Sequence, residues 1–123
     1  GHSSEIKYSV TKKENDFILS LLNYMNENKP YLIPEITLSN LASELEVTPE
    51  YLSGIINNKL GKNFFDFINH YRIEEFKTRS LAAENKKFTL LSIAYDCGFN
   101  SKATFNRVFK NVTGITPGEY ASR

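Results

Sequence analysis

The chain has 123 residues, 41% of them hydrophobic, and a net charge of +1. This is enough apolar material for one compact domain or two small ones sharing an element, and too little net charge to argue by itself for a nucleic-acid partner. The single cysteine, Cys97, excludes an internal disulfide and a multi-cysteine metal site and is compatible with a reducing cytosol; no apolar run approaches the roughly 18 residues of a membrane span, and no signal peptide is visible.

Charge is unevenly distributed. Residues 1–47 carry four Lys against seven acids, whereas residues 101–123 carry Lys102, Arg107, Lys110 and Arg123 against Glu119 alone. The opening Gly1-His2-Ser3 reads as the remnant of a cleaved tag, there is no initiating Met, and residues 1–10 have no helical period. We therefore expect a flexible arm there, in a truncated piece of a longer protein, followed by one folded domain over residues 11–123.

Thr11 and Glu14 form a capping box that opens a first helix, and Ile18, Leu21, Leu22 and Met25 repeat with the spacing of one buried face. The helix should stop at Asn28-Lys29-Pro30. Prolines at 30 and 34 stiffen the next segment, which is expected to cross the surface in extended form with its apolar residues tucked down. Leu38, Leu41, Ala42 and Leu45 then form the inner face of a second helix. Glu46-Val47-Thr48 makes a turn, and Thr48 followed by Pro49 is a favourable helix start. The helix so begun buries Leu52, Ile55 and Ile56, leaves Glu50, Ser53, Gly54 and Asn57 outside, and stops at Asn58-Lys59-Leu60-Gly61.

The stretch Asn63 to Leu81 contains no Pro or Gly, and Phe64, Phe65, Phe67, Ile68, Tyr71, Ile73 and Phe76 spread over more than one helical stripe. A long central helix packed on two sides is expected, spanning roughly 27 Å. A polar loop over 82–88 follows. Thr89 caps a further helix with Leu90, Ile93, Ala94 and Cys97 inward, Gly98-Phe99-Asn100 turns the chain, and Ser101 caps the next helix. In that helix Phe105, Val108, Phe109 and Val112 form the inner stripe, and Lys102, Ala103, Asn106, Arg107 and Lys110 lie outside. Gly114 ends it. Thr116-Pro117-Gly118-Glu119-Tyr120 starts a last turn that should dock Tyr120.

The chain repeats itself across the central helix. Thr37-Leu38-Ser39-Asn40-Leu41-Ala42 matches Thr89-Leu90-Leu91-Ser92-Ile93-Ala94, and Leu52, Ile55, Ile56 and Gly61 match Phe105, Val108, Phe109 and Gly114 after one extra residue in the second turn. Each copy, about 37–61 and 89–114, is a short helix, a tight turn and a second helix. The fold expected is all-α: two helix-turn-helix units joined by a long central helix at about 63–81.

The outer face of the second copy suits the DNA major groove. Ser101 and Ala103 are small enough for close approach, Asn106 can pair with adenine, Arg107 can fork onto guanine, and Lys102 and Lys110 suit phosphates. The plain alternative is a solvated helix face; position as the second helix of a helix-turn-helix favours DNA. In the first copy Thr48, Glu50, Ser53, Gly54 and Asn57 offer one acid and no cation, so a smaller share of base choice is expected there. Gly54 costs about 1 kcal/mol relative to Ala inside a helix, so it either allows close approach or is neutral.

Other chemistry is not supported. Gly54 to Lys62 lacks the spacing and the Ser or Thr of a phosphate loop. His70 has no second ligand in register and His2 lies in the tag remnant, so no metal and no cofactor are expected. Cys97 lies on an apolar face, and Asn111-Val112-Thr113 matches a glycosylation sequon inside an expected helix. No nucleophile stands beside a base, and we expect no enzyme.

The segments LSNLASELEVTPEYLSGIINNKLGKNFFDFINHYRIEEFK and TLLSIAYDCGFNSKATFNRVFKNVTGITPGEY, with Gly98-Phe99, Ser101, Phe105, Phe109-Lys110, Gly114, Pro117 and Tyr120, resemble the DNA-binding domain of AraC/XylS-type transcription regulators. The resemblance covers roughly 37–120. It implies sequence-specific binding of double-stranded DNA by a bacterial regulator, with recognition helices in successive major grooves. Its base-reading positions fall on Glu50, Ser53, Gly54 and Asn57, then Lys102, Ala103, Asn106 and Arg107. Gly54 departs from the pattern, which often has a long polar or basic residue there. Residues 8–36, with Asn28-Lys29-Pro30-Tyr31-Leu32, resemble members whose domain follows a membrane-embedded sensory region. The resemblance thus implies a cytoplasmic domain, an upstream sensory or membrane portion that receives the signal and dimerises the protein, and contact with the transcription machinery. The alternative is a helical module that docks a protein partner in signalling.

Overall fold

A computed structural model of the chain describes residues 10–82 and 88–122, and every regular element among them is helical. The expected tag remnant and most of the arm, and all of the 82–88 loop but its two ends, lie outside the described residues. In chain order the helices are α1 (Lys12–Asn28), α2 (Leu38–Glu44), α3 (Pro49–Gly54), α4 (Phe64–Leu81), α5 (Leu90–Asp96), α6 (Lys102–Thr113) and α7 (Pro117–Ala121). A 3₁₀ turn at Pro30–Leu32 follows α1, and a π-helical turn at Ile55–Lys59 extends α3.

The helix starts are made by hydroxyl caps. Thr11, Thr37, Thr48, Thr89, Ser101 and Thr116 each accept a hydrogen bond from the backbone N–H three residues on, at 3.0–3.2 Å. Each satisfies one donor that a helix start otherwise leaves open. Glu14 and Glu119 return the bond to complete capping boxes.

The described chain divides into two compact units, with residues 30–36 and 65 onward in the second and the rest in the first. α4 thus links the units in sequence but belongs to the second from Phe65. The first unit contains α1, α2 and α3. Leu21, Met25, Leu41, Ala42, Leu52 and Ile56 are wholly buried, and Ile18 and Leu22 are half-buried on the same face of α1. The Phe17 ring meets Tyr51 edge-on at 5.1 Å.

In the second unit Phe76 of α4 is central. Its ring lies 4.9 Å from Phe105, 5.5 Å from Phe109 and 6.3 Å from Tyr120, so α4, α6 and α7 share one aromatic cluster. Ile93, Ala94 and Cys97 of α5 close the same core, and Tyr120 docks there half-buried.

Three expectations are corrected. The 30–34 segment is a 3₁₀ turn rather than extended: Pro30 and Tyr31 are buried and Ile33 is exposed. Its carbonyls converge on one side chain, Arg72, which an extended strand could not arrange. Val112 is 39% exposed and sits off the inner stripe of α6, because the stripe ends with Phe109 one turn earlier. Phe65 is 72% exposed, so the apolar count of α4 overstated its buried surface.

Candidate nucleic-acid interface

The two turns are built to one plan. In the first, Leu45 N–H bonds back to Leu41, Glu46 adopts a left-handed φ of 59°, and Val47 N–H donates to the Ala42 carbonyl at 3.0 Å. In the second, Cys97 N–H bonds back to Ile93, Gly98 has φ 107°, and Phe99 N–H donates to the Ala94 carbonyl at 3.2 Å. Caps then follow at Thr48 directly after Val47, and at Ser101 one residue later. The inserted residue is Asn100.

Gly98 cannot be replaced by an ordinary residue. A Cβ there would lie 2.3 Å from the Tyr31 carbonyl oxygen and 2.7 Å from Arg72 Nε, on a backbone that side chains disfavour. Beneath it is Arg72, only 8% exposed. Its Nε donates to the Tyr31 carbonyl at 2.7 Å, Nη2 to those of Ile33 at 3.0 Å and Pro34 at 3.4 Å, and Nη1 to Asn69 Oδ1 at 3.2 Å. The guanidinium carbon stands 5.8 Å from the Phe99 ring centroid. Burial pulls the Arg72 pKa below its ordinary value, but the group keeps its charge because an arginine starts so high. Four neutral oxygens and a ring face solvate that charge, so Arg72 fixes the turn from which α6 departs.

Tyr31 adds a second tie. Its hydroxyl donates to Glu75 Oε1 at 3.2 Å, and Glu75 Oε2 accepts from Arg79 Nε at 2.8 Å. Burial, then the charge of Glu75, pushes the Tyr31 pKa well above the usual phenol range. Neither Arg72 nor this network was expected from sequence. The signal was present: Ile68, Arg72 and Phe76 follow one another at intervals of four, which places the arginine on a buried stripe.

With its turn so held, α6 buries Phe105, Val108 and Phe109 and exposes Lys102, Ala103, Asn106, Arg107 and Lys110. These five fall at i, i+1, i+4, i+5 and i+8, a single stripe of the helix. None of their side chains makes a hydrogen bond or ion pair among the described residues. Ser101, half-buried, is the cap, its oxygen accepting from Thr104 N–H at 3.2 Å.

The first unit is different. Thr48 is exposed and caps α3, Glu50 and Asn57 are exposed, and Ser53 and Gly54 are half-buried. The side chains of Ser53 and Asn57 are joined, with Asn57 Nδ2 donating to Ser53 Oγ at 3.1 Å. Lys59, the cation of the π turn, pairs with Glu14 at 3.9 Å. The π turn is marked by the Leu60 N–H to Ile55 carbonyl bond at 3.2 Å, and periodicity gave no warning of it.

Among the described residues no helix is long and apolar enough to cross a membrane, and no group of His, Cys, Asp or Glu could hold a metal ion.

A helix-turn-helix domain family model matches residues 41–123. The chain is 30% identical over 109 residues to the uncharacterized HTH-type transcriptional regulator YtdP of Bacillus subtilis, covering 89% of this chain and 13% of that protein. It is 26% identical to YpdC of Escherichia coli, another HTH-type transcriptional regulator, covering 92% and 38%. The chain thus spans a minor part of these relatives. Among solved structures, the C-terminal domain of the response regulator AraT of Geobacillus stearothermophilus superposes with a TM-score of 0.71 at 26% identity, covering 87% of this chain and 85% of that one. The C-terminal domain of the two-component response regulator yesN of Fusobacterium nucleatum gives 0.69 at 27%, covering 85% and 97%. With two turns built alike around one connecting helix, the chain belongs to the helix-turn-helix domain family, in its AraC-type form.

Proposed function

We propose that this domain binds double-stranded DNA sequence-specifically as the reading module of a bacterial transcription regulator. The observation that supports this most is the outer stripe of α6. Three cations, an amide and a small residue stand exposed on one helix, without internal partners among the described residues, behind a turn packed on Arg72. Arg107 and Asn106 have the donors that purine edges accept, Ala103 permits close approach, and Lys102 and Lys110 reach for phosphates. Ser101 sits where its hydroxyl hydrogen can meet the backbone. Thr48, Glu50, Ser53, Gly54 and Asn57 are the corresponding set of the first unit.

In this reading α6 and α3 enter successive major grooves, the module lies on the cytoplasmic side, and it has no catalytic role. An upstream portion, sensory or membrane-embedded, supplies the signal and the dimer contact, and the transcription machinery is a further partner. That two of the structures it resembles are C-terminal domains of longer regulators supports an upstream portion.

Selection of duplexes from a randomised pool at moderate salt tests this. Two enriched blocks about 10 base pairs apart are expected, since neighbouring grooves on one face are one helical turn apart. Arg107→Ala should relax one position of the block read by α6, costing about 1–3 kcal/mol there. Equal loss on all sequences would reduce Arg107 to a phosphate contact, and no enrichment would overturn sequence-specific binding.

A further inference from the structure

The outer face of α3 carries no cation, and its exposed oxygens, the Glu50 carboxylate and Asn57 Oδ1, are acceptors. Glu50, Ser53, Gly54 and Asn57 lie at i, i+3, i+4 and i+7, one face over two turns. The π turn begins at Ile55 and would be expected to rotate Asn57 away, yet the 3.1 Å bond from Asn57 Nδ2 to Ser53 Oγ keeps it on that face. The bond uses one of the two Nδ2 hydrogens and fixes the amide's rotation. Asn57 Oδ1, the acceptor end, has no partner among the described residues, and neither does the exposed Glu50 carboxylate.

Gly54 completes the face. Its φ is −61°, ordinary for a helix, so no backbone strain requires glycine. A Cβ would meet Asn58 Nδ2 at 3.9 Å, an ordinary contact, so packing does not require it either. Gly54 lies on the floor of an open depression of about 440 Å³ that Leu38, Pro49, Glu50 and Ser53 also line. A helix interior favours alanine over glycine by about 1 kcal/mol, so neither backbone nor packing accounts for glycine here.

Resting on the DNA reading above, we infer that the first unit selects bases that present exocyclic amino groups in the major groove, cytosine N4 or adenine N6, through Glu50 and Asn57 Oδ1. Ser53 orients the amide and Gly54 makes room for the base edge. Among major-groove atoms only those amino groups donate, whereas guanine offers N7 and O6 acceptors that a carboxylate repels. A carboxylate in the first turn of α3 complements the helix dipole, and in a DNA complex it is unfavourable beside phosphates and favourable against a base amino group. The two units then differ in charge as readers: a carboxylate on α3, a guanidinium on α6.

The test is duplex selection with the whole chain and with Glu50→Ala, Ser53→Ala and Gly54→Ala, each checked by thermal melting. The wild type should enrich, in the block not governed by Arg107, cytosine or adenine on the strand facing α3. Glu50→Ala should flatten one of those positions by about tenfold, the scale of a single base contact. Ser53→Ala frees the amide to rotate and should relax a neighbouring position while Asn57→Asp, which keeps an acceptor there, retains it. Gly54→Ala should melt no lower than wild type yet bind its site at least about tenfold more weakly, with the α6 block unchanged. An unchanged preference in Glu50→Ala, or full affinity in Gly54→Ala, overturns the inference and leaves DNA binding by α6 standing. A pool in which nothing is enriched overturns both.

Discussion

Gly98 and Arg72 show how much one position can depend on another far away in sequence. The glycine φ of 107° lets the backbone pass over the guanidinium, and any Cβ would displace either that group or the Tyr31 carbonyl. Gly98→Ala combines a disfavoured φ of about 1–2 kcal/mol with that clash, so we expect a loss of at least about 2 kcal/mol in urea unfolding. Arg72→Lys should behave as a large change, since an ammonium lacks the planar fork that meets carbonyls of three different residues. Tyr31 is tied to pH. Its raised pKa means the folded state holds the phenol proton more tightly than the unfolded chain, so the stability this lends is intact below about pH 10. It is lost as pH rises beyond that toward the raised value. The melting-temperature gap between wild type and Tyr31→Phe should therefore close in strong alkali, and a constant gap would show that the hydroxyl contributes through something other than its proton.

At the scale of elements, helical period and cap chemistry were legible because both are local. The Thr48 and Thr89 caps, the inner faces of α2 and α5, and the offset of one residue in the second turn follow from residues within a turn of each other. What was not legible depends on partners elsewhere in the chain. The 3₁₀ turn at Pro30–Leu32 exists because its carbonyls have a distant donor in Arg72, and nothing inside Pro30-Tyr31-Leu32-Ile33-Pro34 announces one. The π turn is a change of hydrogen-bond register over a few residues, and apolar spacing over Leu52, Ile55 and Ile56 fits an α-helix equally well. For the candidate interface, residue types predicted which faces turn outward; the Ser53–Asn57 bond, which decides what Asn57 can offer, required coordinates. Phe76 carries the element-scale prediction. It is wholly buried against rings from α6 and α7, so Phe76→Ala should cost about 3–5 kcal/mol and loosen both helices. Hydrogen exchange of α6 amides checks this, with protection expected to fall there while that of α2 holds.

At the scale of the whole molecule, the small net charge conceals a division of labour. Of the two recognition helices, α6 carries three cations and α3 carries none. If Lys102 and Lys110 each neutralise a phosphate, each contributes about 0.9 to the slope of log affinity against log salt. Lys102→Gln and Lys110→Gln should each lower that slope by about one and weaken all sequences alike, while an unchanged slope would remove the residue from the backbone contacts.

Residues 30–36 are flanked on both sides by residues of the first unit and yet belong to the second. The internal repeat invites a cut before α4, but a polypeptide starting at Phe65 would keep both helices of the second motif and lose the three carbonyls that hold Arg72. That unit is therefore discontinuous along the chain. Adding a 30–36 peptide in trans, or splicing those residues onto the tail of the shortened chain, should restore what a simple truncation discards.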